Sequence, residues 1–135
     1  MPFGDTDAAG VVFYANYYRW FDRMSHELFR SLGVPLNDFM ELDQAPVLAE
    51  TGCRFAAPAR YDDMLTLSAT PTDLGARSIR IEHTVARNAD VIASGFEVRI
   101  WVEVKNGGLR AMSLPAVIRE ALSGDRRAAQ GECHS

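Results

Sequence analysis

The sequence predicts an α+β domain in which one long central helix is wrapped by a curved antiparallel sheet. Three observations point there. The segment from Tyr14 to Leu32 repeats apolar side chains at helical spacing. Three downstream segments alternate apolar and polar residues with the period of a strand. Short turn signals, not long crossovers, separate those strands, which favours antiparallel pairing. A chain of 135 residues is long enough for one sizeable core and short for two.

Each element has its own signal. In the helix, Tyr14, Tyr17, Tyr18, Phe21, Met24, Leu28 and Leu32 recur in steps of three or four, and Trp20 and Phe29 widen the stripe. Gly33 and Pro35 then stop it. A helix apolar around most of its girth must be covered. Val47 to Ala57 reads as a strand bounded by Pro46 and Pro58. Leu65, Leu67 and Ala69 alternate with Thr66, Ser68 and Thr70, and Ile79, Ile81, His83 and Val85 with Arg80, Glu82 and Thr84. In the last long strand Phe96, Val98, Ile100, Val102 and Val104 are expected to face the core, with Glu97, Arg99, Trp101 and Glu103 turned to water. Turns fall at Thr72 to Gly75, Asn88 to Asp90 and Asn106 to Gly108. Pro115 to Leu122 predicts a short closing helix. The domain is expected over 1–122, with 123–135 a loose polar tail.

Composition narrows the function. A formal charge of −4 argues against a general nucleic-acid or membrane surface. An anionic ligand would need local arginines. Cys53 and Cys133 have no paired spacing, which predicts a reduced, cytoplasmic protein without a disulfide framework. No apolar run approaches the ~20 residues of a membrane span, and no signal-peptide pattern is present. His26, His83 and His134 lack metal-ligand spacing, so no metal is expected. His83, on an apolar strand face, reads as a hydrogen-bonded core histidine, and His26 as structural or exposed. There is no G-x-S-x-G nucleophile elbow, and Cys53 has no evident partner as a nucleophile.

The chemically suggestive stretch is Phe3 to Tyr14, where Asp5 and Asp7 sit in a small-residue loop that runs into the helix. A calcium loop opening at Asp5 would place Gly10 correctly at its sixth position, but offers Ala9 at the fifth and Asn16 where a bidentate Glu belongs. A phosphatase-type aspartyl nucleophile needs a buried strand ahead of it, and only Met1, Pro2 and Phe3 precede. Two readings remain. The acids order a loop before a helix, or one of them works on a carbonyl that the helix N-terminus polarises, which suits acyl transfer.

The run FGDTDAAGVVFYANYYRWFDRM resembles the signature of the hotdog-fold acyl-CoA thioesterases of the 4-hydroxybenzoyl-CoA thioesterase family, F-G-D-x-D-x-x-G-[IV]-V-[WFY]-Y-x-N-Y-x-R-W-[LF]-D. Ala59 to Leu67 is similar to that family's Y-D-D-x-L-T segment, and Leu109 to Pro115 to its closing L-R-A-[IM]-x-[VL]-P. The likeness spans roughly residues 3–122. It implies a hotdog fold and a homodimer or homotetramer with active sites at the subunit interface. It further implies hydrolysis of an aromatic acyl-CoA, with no metal or redox cofactor. A short-chain aliphatic acyl-CoA or an acyl-carrier-protein thioester is the rival substrate. A non-catalytic acyl-CoA-binding module is the rival function.

By the same resemblance, Asp7 is the catalytic carboxylate, acting as nucleophile or as general base on water. The Tyr14 backbone N–H polarises the thioester oxygen, and Gly10 lets the backbone approach it. Asp5 braces the loop. Asp22 lies at the acyl end, able to accept a hydrogen bond from a ring hydroxyl, while its plainer reading is a solvated helix carboxylate. Arg77 and Arg110 align with nucleotide-contacting basic residues, and their plainer reading is exposed strand-end charge. The chain departs from the family twice. Gly75-Ala76-Arg77 carries one cation where relatives can carry a cluster. Only Met1 and Pro2 stand ahead of Phe3, where relatives have about ten residues of strand: either the start is assigned too late, or the first strand is truncated and a sheet edge is left unpaired.

Overall fold

A computed structural model of the chain describes residues 14–60, 62–123 and 129–134, the last through its backbone. Its elements are α1 (Ala15–Ser31), α2 (Leu36–Met40), β1 (Gln44–Phe55), β2 (Met64–Leu74), β3 (Ser78–Arg87), β4 (Asp90–Lys105), β5 (Gly108–Ala111), α3 (Ala116–Ser123) and β6 (Ala129–His134). The strands form one antiparallel sheet in the order β1-β4-β3-β2-β6, with β5 paired to the end of β4. This is the long helix on an antiparallel sheet, the hotdog arrangement, that the sequence predicts.

Helix α1 buries Tyr17, Trp20, Phe21, Met24, Ser25, Leu28 and Phe29 along one face. Leu65, Leu67, Ala69, Ile79, Ile81 and Val85 of β2 and β3 meet that face from the sheet. Removing side chains of this size from water stabilises the fold by ~1.5–3 kcal/mol each. Tyr14 is exposed and Tyr18 half-buried, so the stripe begins one turn later than its first aromatic suggests. Gly33 ends the helix in the left-handed region, φ +79°. Gly95 on β4 allows the Phe21 ring of the helix to lie close against the sheet. A Cβ there would strike the Phe21 ring and come within 2.6 Å of the Gly52 carbonyl oxygen.

Four features differ from the sequence reading. Strand β4 turns its other face inward: Glu97, Arg99 and Trp101 are buried while Phe96, Val98 and Ile100 are half-buried on the far side of the sheet. Alternation fixes the period but not which face is buried, and an acid–base pair two residues apart can enter the core by neutralising itself. Second, 129–134 is not a loose tail. Strand β6 pairs antiparallel with β2, from Met64 opposite His134 to Ala69 opposite Ala129. Backbone hydrogen bonds on an open strand edge need no apolar pattern, so composition hid it. The edge of β2 is thereby paired. Third, α2 follows Pro35 at once. Fourth, Asn106 and Gly107, both with positive φ, make a two-residue hairpin into the unpredicted β5.

Candidate active site

A polar cluster is buried where α1 crosses β3 and β4. Glu97 and Arg99, two residues apart on β4, share the face opposed to the helix and are 1% and 5% exposed. Arg99 grips Glu97 with two nitrogens, Nη2 to Oε2 at 2.9 Å and Nε to Oε1 at 3.3 Å. The Ser25 hydroxyl of α1 donates to Glu97 Oε1. His83 Nε2 lies 3.1 Å from the same oxygen and 3.3 Å from Ser25 Oγ. Burial alone would push the Glu97 carboxyl up. The hydrogen bonds from His83, Arg99 and Ser25, with the Arg99 charge, outweigh it and hold the group at about 2. For Arg99, burial opposes the charge, but Glu97 and then Asp22 raise its pKa.

Serine, histidine and glutamate together suggest a hydrolytic triad, yet the geometry forbids one. The serine proton is committed to Glu97, not to an imidazole nitrogen. The imidazole presents the same nitrogen, Nε2, to both partners. Nδ1 is buried with no partner among the described residues, which assigns the ring proton to Nε2. The ring stacks on Phe21, 4.6 Å between centroids. Every donor converges on one carboxylate, and none serves as a base toward serine. This cluster holds the helix to the sheet, and the core-histidine reading of His83 is the one observed.

The cluster reaches the surface at Asp22. Arg99 Nη2 donates to Asp22 Oδ1 at 2.7 Å, and Arg99 Nη1 to the Pro46 carbonyl of β1 at 3.1 Å. The Asp22 side chain is 58% exposed, and His26 stands 3.9 Å away. The helix-facing side of β1 is only partly covered. Leu48, in register with Arg99, is 49% exposed, and Phe55 is half exposed although it meets Tyr17 edge-on at 4.9 Å. Leu48 of β1 and Asp22 of α1 thus both neighbour Arg99, the one by strand register and the other by hydrogen bond.

The other predicted residues are placed as follows. Asp7 and Gly10, with Asp5, lie outside the described residues. Tyr14 is the N-cap of α1, its ring exposed, and its carbonyl accepts from Tyr17 N–H at 3.1 Å. Arg77 lies in the β2–β3 turn, where its carbonyl accepts from Trp101 N–H at 2.8 Å. Arg110 on β5 stands opposite Glu103. Both arginines are exposed on the β3 side of β4, and neither has an ion-pair partner among the described residues. Arg119 of α3 donates to the Gly75 carbonyl at 2.7 Å and so braces the turn that carries Arg77.

Sequence reasoning missed Ser25, Glu97 and Arg99, because the wrong phase was assigned to β4. The usable signal was His83: a histidine on an apolar strand face needs a polar partner on the neighbouring strand. The second acid of the Tyr61-Asp62-Asp63 segment has a structural use. Asp63 accepts from the Arg60 N–H and from Arg87, each at 2.8 Å, and so pins the β1–β2 loop. Burial pushes the Cys53 thiol up to about 11, so it is not a ready nucleophile. Among the described residues, no group of three His, Cys, Asp or Glu converges to hold a metal, and no helix is long and apolar enough to cross a membrane.

Known proteins share this architecture. A 4-hydroxybenzoyl-CoA thioesterase of Pseudomonas sp. (strain CBS-3) is 29% identical over 124 residues, 86% of this chain and 88% of that protein. An acyl-CoA thioesterase, YbgC, of Haemophilus influenzae is 25% identical, covering 87% of this chain and 85% of that one. Among solved structures, a gentisyl-coenzyme A thioesterase superposes with a TM-score of 0.83 at 33% identity, over 91% of this chain and 95% of that one. The sequence profile of the thioesterase superfamily matches residues 9–93, well over half of the chain, and the chain belongs to that superfamily of thioester hydrolases.

Proposed function

We propose that this protein hydrolyses an aromatic acyl-CoA, 4-hydroxybenzoyl-CoA or a near relative, to the free acid and coenzyme A. The observation that supports it most is the run from Phe3 to Asp22, which keeps the thioesterase motif and enters α1 at Tyr14. A carboxylate ahead of a helix N-terminus suits thioester cleavage: the amide end stabilises the oxygen as negative charge develops on it. Asp7 attacks the thioester carbon or draws a proton from the attacking water. The C–S bond breaks, and the thiolate leaves and takes a proton. On the first route a mixed anhydride forms at Asp7 and water then hydrolyses it. The Tyr14 N–H holds the oxygen, and Gly10 permits close approach. Asp22, exposed and held by Arg99, receives a polar substituent of the acyl group. Arg77 and Arg110 receive the phosphates of the nucleotide.

The active unit is a homodimer or homotetramer, with sites completed between subunits. Support comes from the outer face of β4, where Phe96, Val98 and Ile100 form an apolar strip on the side away from α1. The test is thiol release from a panel of acyl-CoA esters, hydroxylated benzoyl, unsubstituted benzoyl and short aliphatic, together with an acyl-carrier-protein thioester. The expected ranking puts the hydroxylated aromatic ester first in kcat/KM. Faster turnover of the aliphatic or carrier-protein ester would replace the substrate. Binding of every ester without thiol release would replace the enzyme with a binding module.

A further inference from the structure

Asp22 is not a free surface carboxylate. Its Oδ1 is held by a guanidinium that three structural elements fix at once. Arg99 rises from β4, is clamped by Glu97 on its own strand, donates to the Pro46 carbonyl on β1 and reaches Asp22 on α1. Glu97 is fixed in turn by Ser25 and His83. The chain of contacts runs from the core under Phe21 to the rim of the site, and each member but Asp22 is buried.

Two consequences follow from that geometry. Glu97 already balances the Arg99 charge, so the guanidinium meets Asp22 as a directional donor inside a neutral pair. Its planar fork makes four hydrogen bonds to three partners and so fixes where the carboxylate stands, one bond more than the three N–H groups of a lysine ammonium can supply. The second consequence concerns the oxygen left over. Among the described residues no donor reaches Asp22 Oδ2, so one oxygen is anchored and the other is left open on a side chain that is 58% exposed.

We infer that Arg99 is a positioning residue for Asp22, and that the Glu97-anchored guanidinium sets the preference for acyl groups bearing a hydrogen-bond donor over their unsubstituted analogues. This rests on the reading of the site given above, with Asp22 at the acyl end. Arg99 itself touches no substrate and acts through the orientation of Asp22.

The experiment compares 4-hydroxybenzoyl-CoA with benzoyl-CoA in wild type, Arg99→Lys, Asp22→Asn and the double variant. The ratio of the two kcat/KM values is the readout. In parallel, calorimetry measures binding of non-hydrolysable thioether analogues of both esters. Wild type is expected to favour the hydroxylated ester by about tenfold or more, in line with one hydrogen bond to a charged group. Arg99→Lys, which keeps the charge and loses the fork, is expected to bring the ratio to within about threefold of unity. In the Asp22→Asn background the Arg99 change should have no further effect on the ratio, because the two act on one contact.

A loss of activity equal for both esters in Arg99→Lys, with the ratio kept, would make Arg99 merely structural and overturn the inference. If Arg99→Lys does not fold, Asp22→Asn decides, since Asp22 is exposed and its loss spares the core. An unchanged ratio there overturns the inference too. The binding arm separates this from failure of the parent reading. Discrimination between the analogues without thiol release would sink the enzymatic proposal and leave the Asp22–Arg99 device standing.

Discussion

Glu97 on β4 holds the His83 imidazole of β3 at 3.1 Å while accepting the Ser25 hydroxyl of α1, so a single buried carboxylate ties the long helix to two neighbouring strands. Replacing it tests how much of the fold depends on that tie. Glu97→Gln keeps the shape but leaves the buried Arg99 guanidinium with only the half-exposed Asp22 as counter-charge. The expected loss is ~3–5 kcal/mol, read as a lower urea midpoint with an unchanged m-value. A midpoint equal to wild type would mean the cluster adds nothing to stability.

Acid should act through the same group. The Glu97 carboxyl sits at about 2 when folded against an ordinary value of 4.5. A depressed carboxylate contributes fully above its unfolded value and loses that contribution as pH falls through the folded one. Its share, on the order of 3 kcal/mol, is therefore complete above about pH 4.5 and declines towards pH 2. Urea midpoints measured across that window should fall in wild type more steeply than in Glu97→Gln. Parallel curves would contradict the assignment.

Gly95 offers a test of the helix–sheet approach. Gly95→Ala puts a methyl group against the Phe21 ring and the Gly52 carbonyl. Overpacking of this kind costs ~1–3 kcal/mol, and thermal unfolding should show a correspondingly lower midpoint. An unchanged melting temperature would mean α1 can stand off from β4 at no cost.

The helix, the long strands and their antiparallel order were legible because burial writes itself into periodicity. Tyr17, Phe21, Met24 and Leu28 spell out α1, and Ile79, Ile81 and Val85 spell out the inner face of β3. The phase of β4 was not legible. Its outward residues are as apolar as a core face, and its inward ones, Glu97 and Arg99, satisfy each other in a way only tertiary structure reveals. Strand β6 was hidden because backbone pairing leaves no side-chain pattern. Asp22, Arg77 and Arg110 could be proposed as site residues from the motifs, but the guanidinium that holds Asp22 could not be read there. Its partner lies 77 positions along the chain.

The exposed arginines carry a kinetic prediction. Arg77→Ala and Arg110→Ala should each raise the KM for acyl-CoA about threefold to tenfold and leave kcat nearly unchanged, as removal of a solvent-exposed phosphate contact does. Steady-state kinetics in low and high salt give the check, because the effect should shrink as salt screens the charges. If both variants keep the wild-type KM, the phosphates bind elsewhere.

Thiol release by Asp7→Asn beside wild type, on the best acyl-CoA of the panel and with intact folding verified by the same unfolding curve, tests the central claim most directly. Turnover should fall by at least about a hundredfold, since the general-base contribution alone reaches that size. Hydrolysis at the wild-type rate by Asp7→Asn would show that the chemistry does not run through that carboxylate.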